Sequence, residues 1–132
     1  NANRSKRSIV LDFISSDEDR SVLINLIEQA DILVEDFQPG FLKSLGLGYE
    51  EIHGLNPNLI YISITPFGQS GPKSGWLGGE LIAAASGGIM YANGDDNAAP
   101  CMAPFGLLSQ FASIHGAFGA GCGTAAARRT KR

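Results

Sequence analysis

Three short apolar runs, each rich in β-branched residues, are the feature of this sequence that most constrains its fold. They lie at residues 9–13, 32–34 and 59–64, and helical patterns occupy the segments between them. Parallel strands need such crossover connections, and near-continuous apolar strands suit a sheet that is covered on both faces. The sequence therefore predicts the α/β class, with a Rossmann-like parallel sheet flanked by helices.

Local signals predict where the first helices begin and end. Ser15 and Glu18 have the capping-box spacing, and apolar residues at helical spacing follow them. Two short helical turns are predicted at 41–45 and 49–53, and the dipeptide Asn-Pro at 56–57 stops the second of them. These helices would connect the three predicted strands.

One long helix is predicted from about residue 107 to 128, after a shorter helix at 80–85. The long helix contains glycines that each cost about 1 kcal/mol in a helix interior, and close approach of another backbone is the usual reason for them. A membrane helix with a face of small residues is an alternative, although polar residues interrupt the apolar run. The glycines are Gly116, Gly119, Gly121 and Gly123, and the polar residues are Ser109, Gln110, Ser113 and His115.

Composition argues against several classes of protein. The chain has 132 residues and a formal net charge of -3 at pH 7, so it has no basic excess for binding nucleic acid or an anionic membrane. Cys101 and Cys122 show neither metal-ligand spacing nor a C-x-x-C pattern, and no metal site is predicted. No signal-peptide pattern is present. We therefore expect a reduced, cytoplasmic protein without nucleic-acid or membrane partners.

Carboxylates and turn residues follow the predicted strands at the position where open parallel sheets bind ligands. Asp12 and Phe13 end the first run, Glu35 and Asp36 follow the second, and Thr65 follows the third. The residues alone leave a second interpretation open, in which Glu35 and Asp36 only solvate a loop. No Gly-x-Gly-x-x-Gly motif or phosphate loop is present, so neither a dinucleotide oxidoreductase nor an NTPase is supported.

Five blocks of the sequence, in order, resemble those of the family III CoA-transferases of the CaiB/BaiF type. The first, N-R-S-K-R-S-I-V-L-D, is similar to the family pattern N-x-x-K-R-S-x-x-L-D, and the second, A-D-I-L-V-E-D-F-Q-P-G, to A-D-V-L-V-E-N-F-x-P-G. The blocks lie at residues 3–12, 30–40, 45–49, 55–57 and 62–72. The family includes formyl-CoA transferase, carnitine CoA-transferase and α-methylacyl-CoA racemase.

The resemblance implies an architecture and a set of partners. Two intertwined subunits of the family form a linked-ring dimer, and a Rossmann-like large domain binds coenzyme A. Residues 1–132 would then be an internal part of that large domain, without its first strand and helix and without the small domain. The implied substrates are an acyl-CoA and a carboxylic acid, and the implied assembly is a homodimer or a heterodimer with a paralogous subunit.

The resemblance also implies roles for individual residues. In the family an aspartate carboxylate attacks the acyl-CoA thioester, and Ser109 falls at its position here. Glu80 matches an acidic residue of the family site and is the second predicted catalytic residue. Leu11 and Phe37 match apolar contacts to coenzyme A, and Asp36 replaces an asparagine that helps to hold it.

Two functional hypotheses follow from these matches. In the first, the protein is a CoA-transferase that works through Glu80 or through an adapted Ser109. In the second, it is a non-catalytic subunit of a heteromeric CoA-transferase, because a serine ester is harder to reopen than the anhydride of a carboxylate. The resemblance favours transferase activity as the function.

Overall fold

A parallel sheet of two strands with helices on both faces forms the framework of the computed structural model, which describes residues 3–95, 97–104 and 106–130. The register pairs Ile32 with Ile60 at one end and Glu35 with Ser63 at the other. The predicted α/β class is therefore confirmed. The elements in chain order are α1 (Asp17–Gln29), β1 (Ile32–Glu35), α2 (Phe41–Ser44), α3 (Tyr49–Leu55), β2 (Ile60–Ser63), α4 (Glu80–Ser86), α5 (Ile89–Ala92) and α6 (Leu107–Thr130).

The main hydrophobic core lies between α1, α2, α3 and the sheet face that carries Leu33 and Tyr61. Ile52 is the most buried of its members, with 1% of its surface exposed. Full burial of an isoleucine or leucine side chain contributes about 1.5–3 kcal/mol. The other buried members are Ile27, Leu42, Leu47 and Leu59. This core fixes β1 and β2 against the three helices that precede or connect them.

Helix α6 packs on the opposite sheet face, and two of its glycines allow the close approach that the sequence predicts. A β-carbon on Gly116 would lie 3.0 Å from Ile64 Cδ1, and one on Gly123 would lie 3.0 Å from Ile60 Cδ1. Close approach to the sheet does not explain Gly119 or Gly121, because no described atom lies within 4 Å of a β-carbon built at either position. Among the described residues, every helix is too short or too polar to span a lipid bilayer.

The first predicted strand, at residues 9–13, is wrong. Ile9 and Val10 are 62% and 93% exposed, and the backbone N–H of Asp12 donates to the Asp19 carboxylate instead of to another strand. A strand is stable only where a neighbouring strand satisfies its backbone groups, and no described segment lies beside these residues in that way. The apolar pattern alone did not reveal this.

The cap of α1 also differs from the prediction by one residue. The side chain of Ser16, rather than Ser15, accepts a hydrogen bond from the backbone N–H of Asp19 at 3.2 Å. The backbone N–H of Ser15 instead donates to Asp12 Oδ1 at 3.0 Å, which holds Ser15 in the preceding turn. Helix α1 therefore begins at Asp17.

Candidate functional site

A cavity of about 630 Å³ lies where the carboxyl ends of β1 and β2 face the first turns of α4 and α6. The chain segments 34–36 and 64–66 form one side of it, and residues of α4 and α6 form the other. Ligands of open parallel sheets bind at this edge. The strand-end position predicted from the sequence therefore coincides with a cavity.

Glu80 connects the two helices that border this cavity. Leu108 donates its backbone N–H to Glu80 Oε1 at 2.7 Å, and Ser109 donates its backbone N–H to Glu80 Oε2 at 3.3 Å. The first N–H groups of a helix have no intrahelical acceptor, and the helix dipole is positive there. The carboxylate at the start of α4 thus caps α6 from outside.

The hydroxyl of Ser109 completes this arrangement. It donates to Glu80 Oε2 at 2.6 Å, so Glu80 accepts three hydrogen bonds from described residues of α6. The bond from the Ser109 hydroxyl is the main cause that lowers the pKa of Glu80, followed by the bond from the Leu108 N–H, while partial desolvation acts in the opposite direction. Glu80 is therefore ionised at neutral pH and is a weak proton acceptor.

The structure brings three of the five predicted site residues to one cavity. Asp36, Glu80 and Ser109 all line it. Leu11 and Phe37 are not part of its lining. Leu11 precedes α1 and is half-buried, whereas Phe37 follows Asp36 directly and is 39% exposed.

Phe37 belongs to an aromatic cluster next to the cavity. Its ring centroid lies 5.0 Å from that of Phe41 and 6.3 Å from that of Phe13. Edge and tilted ring contacts of this kind stabilise by about 0.5–1.5 kcal/mol beyond the burial of area. The cluster fixes the turn that carries Asp36, so Phe37 has a clear structural role in addition to any contact with a ligand.

Two residues with hydroxyl groups, Thr65 and Ser113, line the cavity although the sequence analysis assigned neither of them a catalytic or binding role. The Thr65 hydroxyl is buried and has no hydrogen-bond partner among the described residues. Ser113 lies one turn after Ser109 and donates its hydroxyl to the Ser109 carbonyl at 2.7 Å. Their positions offered a signal, because Thr65 directly follows the apolar run at 59–64 and Ser113 shares a helix face with Ser109.

Metal ligation has no support in the described ranges. There, no three or more His, Cys, Asp or Glu side chains are grouped so that they could hold a metal ion. The charged and hydroxyl side chains that line the cavity are those of Glu35, Asp36, Glu80, Thr65, Ser109 and Ser113.

A family model, curated proteins and a solved structure that resemble this chain all point to one family. Residues 1–132 match the family described as CoA-transferase family III. An acyl-CoA transferase of Fusarium pseudograminearum is 39% identical over 117 residues, which are 87% of this chain and 25% of that protein. The BbsE subunit of succinyl-CoA:(R)-benzylsuccinate CoA-transferase of Thauera aromatica is 35% identical over 128 residues, which are 97% of this chain and 31% of that protein.

A solved structure shows the same fold. The crystal structure of a CaiB/BaiF family protein from Brucella suis superimposes with a TM-score of 0.91 at 32% identity, covering 96% of this chain and 33% of that one. The chain thus spans between 25% and 33% of the length of these three relatives. On the match over residues 1–132, the chain belongs to CoA-transferase family III.

Proposed function

We propose that this protein transfers coenzyme A between carboxylic acids by way of acyl-CoA thioesters. The observation that carries the proposal is the cavity at the strand ends, where carboxylates and hydroxyls meet in a chain that matches this family over residues 1–132. An acyl-CoA and a free carboxylic acid are the substrates. Coenzyme A is thus a substrate, and the proposed reaction needs no metal.

The residues around the cavity suggest how the thioester is held. Asp36 lines the cavity, and Phe37 and Leu11, which lie outside its lining, would offer apolar surface to the pantetheine arm. The buried, unpartnered hydroxyl of Thr65 is available to donate to the thioester carbonyl oxygen. The carbonyl carbon would then lie between the strand ends and the start of α6.

Ser109 lies in this site, but its environment does not favour a serine nucleophile. Its hydroxyl would have to give its proton to Glu80, whose pKa is lowered chiefly by that same hydrogen bond. A base with a low pKa accepts a proton poorly at neutral pH. Ser109 and Glu80 together support a role in holding the start of α6 in the site.

Exchange of the acyl group between acids tests the proposal. The purified protein is incubated with several acyl-CoA donors, each with and without a second carboxylic acid, and the CoA thioesters are separated by liquid chromatography with mass spectrometry. We expect a new thioester only when the second acid is present. Free coenzyme A without a new thioester would instead indicate hydrolysis and would contradict the proposal.

A second candidate is a non-catalytic subunit of a heteromeric CoA-transferase. Ser109 at the position of the expected aspartate favours it, and the Thauera aromatica relative is itself named as a subunit. Co-purification with a paralogous chain, followed by the same exchange assay, distinguishes the two candidates. Exchange activity of the homomeric protein alone would exclude this second candidate.

A further inference from the structure

We propose that Gly78 is a positioning residue of this site, because its lack of a side chain lets the chain before α4 pack on the turn after β2 and so holds Glu80 at the start of α6. One segment connects β2 to α4. Both of its ends line the cavity, with Thr65 and Pro66 after the strand and Gly79 directly before Glu80. The inference rests on the proposed function, since its catalytic effect is measured as CoA exchange.

The contact at Gly78 leaves no room for a side chain. A β-carbon on Gly78 would lie 2.6 Å from Pro66 Cβ, 3.1 Å from Pro66 Cγ and 2.9 Å from Phe67 Cε2. Real β-carbons do not approach other atoms within 3.0 Å, so a side chain here would force one of the two packed chains to move. The backbone of Gly78 does not have a positive φ. Glycine is therefore needed at this position for space and not for its conformational freedom.

Pro66 and Phe67 are themselves held in place. The β-carbon of Pro66 belongs to a ring that fixes the backbone φ. The Phe67 ring packs edge-on against Trp76 with 5.9 Å between the ring centroids, and Lys73 Nζ lies 5.2 Å from the centre of the Trp76 ring. Pro66 also lines the cavity. Either response to added bulk, a shift of Pro66 or a shift of the chain that packs on it, therefore alters the cavity.

Glu80 transmits such a shift to α6. It lies two residues after Gly78 and accepts the Leu108 N–H at 2.7 Å and the Ser109 hydroxyl at 2.6 Å. A β-carbon placed 2.6 Å from Pro66 Cβ must move by at least 0.4 Å to reach a distance of 3.0 Å. Hydrogen bonds weaken steeply as their angle departs from the preferred range. Gly78 thus acts on the start of α6 through Glu80 and not by touching a substrate.

A second glycine in the same segment provides a matched control. Gly75 lies outside the cavity lining, and a β-carbon there would meet no described atom within 4 Å. Amide hydrogen exchange at Leu108 and Ser109 and the kinetics of CoA exchange are measured for the unmodified protein, G78A and G75A. For G78A we expect faster exchange of both amides and a fall in kcat of roughly 10-fold or more, with a nearly unchanged KM for acyl-CoA, because misplaced groups slow the chemical step. G75A should match the unmodified protein.

Removal of the other partner tests the same contact. The P66G variant takes away both Pro66 atoms that crowd Gly78 and leaves only the end of the Phe67 side chain, which can turn aside. We expect P66G to speed amide exchange at Leu108 and Ser109 as G78A does, and G78A to add little when it is combined with P66G. Non-additivity of this kind indicates that two residues act through one contact. Because P66G adds no atom, it also provides the test if G78A does not fold.

Equal amide exchange in G78A, G75A and the unmodified protein would overturn the proposal. Strictly additive effects of G78A and P66G would also overturn it, because the two residues would then act separately. Faster amide exchange in G78A with a normal kcat would show that Gly78 stabilises α6 without positioning the reaction, and CoA transfer would stand. If the unmodified protein transfers no CoA while G78A still speeds amide exchange at Leu108 and Ser109, the proposed function fails and the contact between Gly78 and Pro66 stands.

Discussion

Glu80 links α4 to α6 through hydrogen bonds that join residues 28 and 29 positions apart in the sequence. Glutamine at this position keeps the shape but removes the charge, and its amide group cannot accept hydrogen bonds at both ends. For E80Q we expect faster amide hydrogen exchange at Leu108 and Ser109, because their N–H groups lose a charged acceptor. The E28Q variant removes the same charge from the exposed surface of α1 and should leave these two amides unchanged.

The pH dependence of stability follows from the same carboxylate. The ordinary glutamate pKa is 4.5, and that of Glu80 is lower in the folded protein, mainly because of the Ser109 hydroxyl. Between the two pKa values the unfolded chain binds more protons than the folded chain. The stability that Glu80 contributes is therefore present above pH 4.5 and is lost as the pH falls through the folded-state pKa.

Urea unfolding of the unmodified protein and E80Q, from neutral to strongly acid pH, measures this contribution. We expect the difference in unfolding free energy between them to be largest at neutral pH and to shrink in acid. A difference that stays constant across the range would show that ionisation of Glu80 does not contribute to stability.

At the scale of elements, Asn56 ties the end of α1 to the end of α3. Its Nδ2 donates to the carbonyls of Ile27, Glu28 and Ala30 at 3.1, 3.2 and 2.9 Å. For N56A we expect a loss of about 1–3 kcal/mol in the free energy of unfolding. N56D should cost more, because it places a carboxylate against carbonyls at the negative end of α1. Chemical denaturation measures both.

A neighbouring asparagine provides the control for this prediction. The side chain of Asn58 is exposed and makes no hydrogen bond to any described residue. N58A should therefore unfold with nearly the same free energy as the unmodified protein. An equal loss in N56A and N58A would show that the bridge between α1 and α3 contributes little.

The glycines of α6 give a second prediction for this scale. At Gly119 a β-carbon would meet no described atom within 4 Å, so G119A should stabilise the protein by about 1 kcal/mol through helix propensity. At Gly123 the β-carbon would lie 3.0, 3.3 and 3.4 Å from three atoms of Ile60, and this crowding should offset the gain. In thermal or urea unfolding, G119A should be more stable than G123A. Equal stabilisation by both would contradict tight packing of α6 on β2.

Local sequence patterns predicted β1 and β2 correctly but failed for the run at 9–13. The apolar runs at 32–34 and 59–64 became β1 and β2, because each is bounded by turn residues and each finds the other as its neighbour. The run at 9–13 is also rich in β-branched and apolar residues, yet it forms no strand. Strand formation depends on a partner strand, often one distant in the sequence, and composition does not show whether such a strand lies beside the run.

The part of the site that could be predicted from the sequence is the part that the sheet topology alone positions. Asp36 and Thr65 lie where parallel strands end, and the rule for open sheets places them at a ligand edge. The bond between Glu80 and Ser109 is a tertiary contact across 29 positions, which no local pattern encodes. The packing of Phe37 on Phe13 and Phe41 is equally non-local.

At the scale of the whole molecule, the chain exposes more surface than a compact monomer of its mass. Its accessible surface is 10038 Å² for 13.9 kDa, against about 6700 Å² expected from the scaling of compact monomers. Part of the excess is an apolar ridge of α6, formed by Phe111, Ile114 and Phe118, which are 47%, 63% and 73% exposed. These three residues share one helix face at the spacing i, i+3, i+7.

This ridge should make the 132-residue chain associate with itself when it is produced alone, since contiguous exposed apolar surface is removed from water on contact. Sedimentation velocity and binding of a hydrophobic dye measure the association. The F111Q/F118Q double variant should shift the chain toward monomer and bind less dye. Y91Q changes a side chain that is 91% exposed outside α6 and should leave both measurements unchanged. Association that persists in the double variant would place the contact elsewhere. A monomeric unmodified chain without dye binding would mean that the ridge is too small to drive contact, since about 1,000 Å² of buried area is needed for a stable interface.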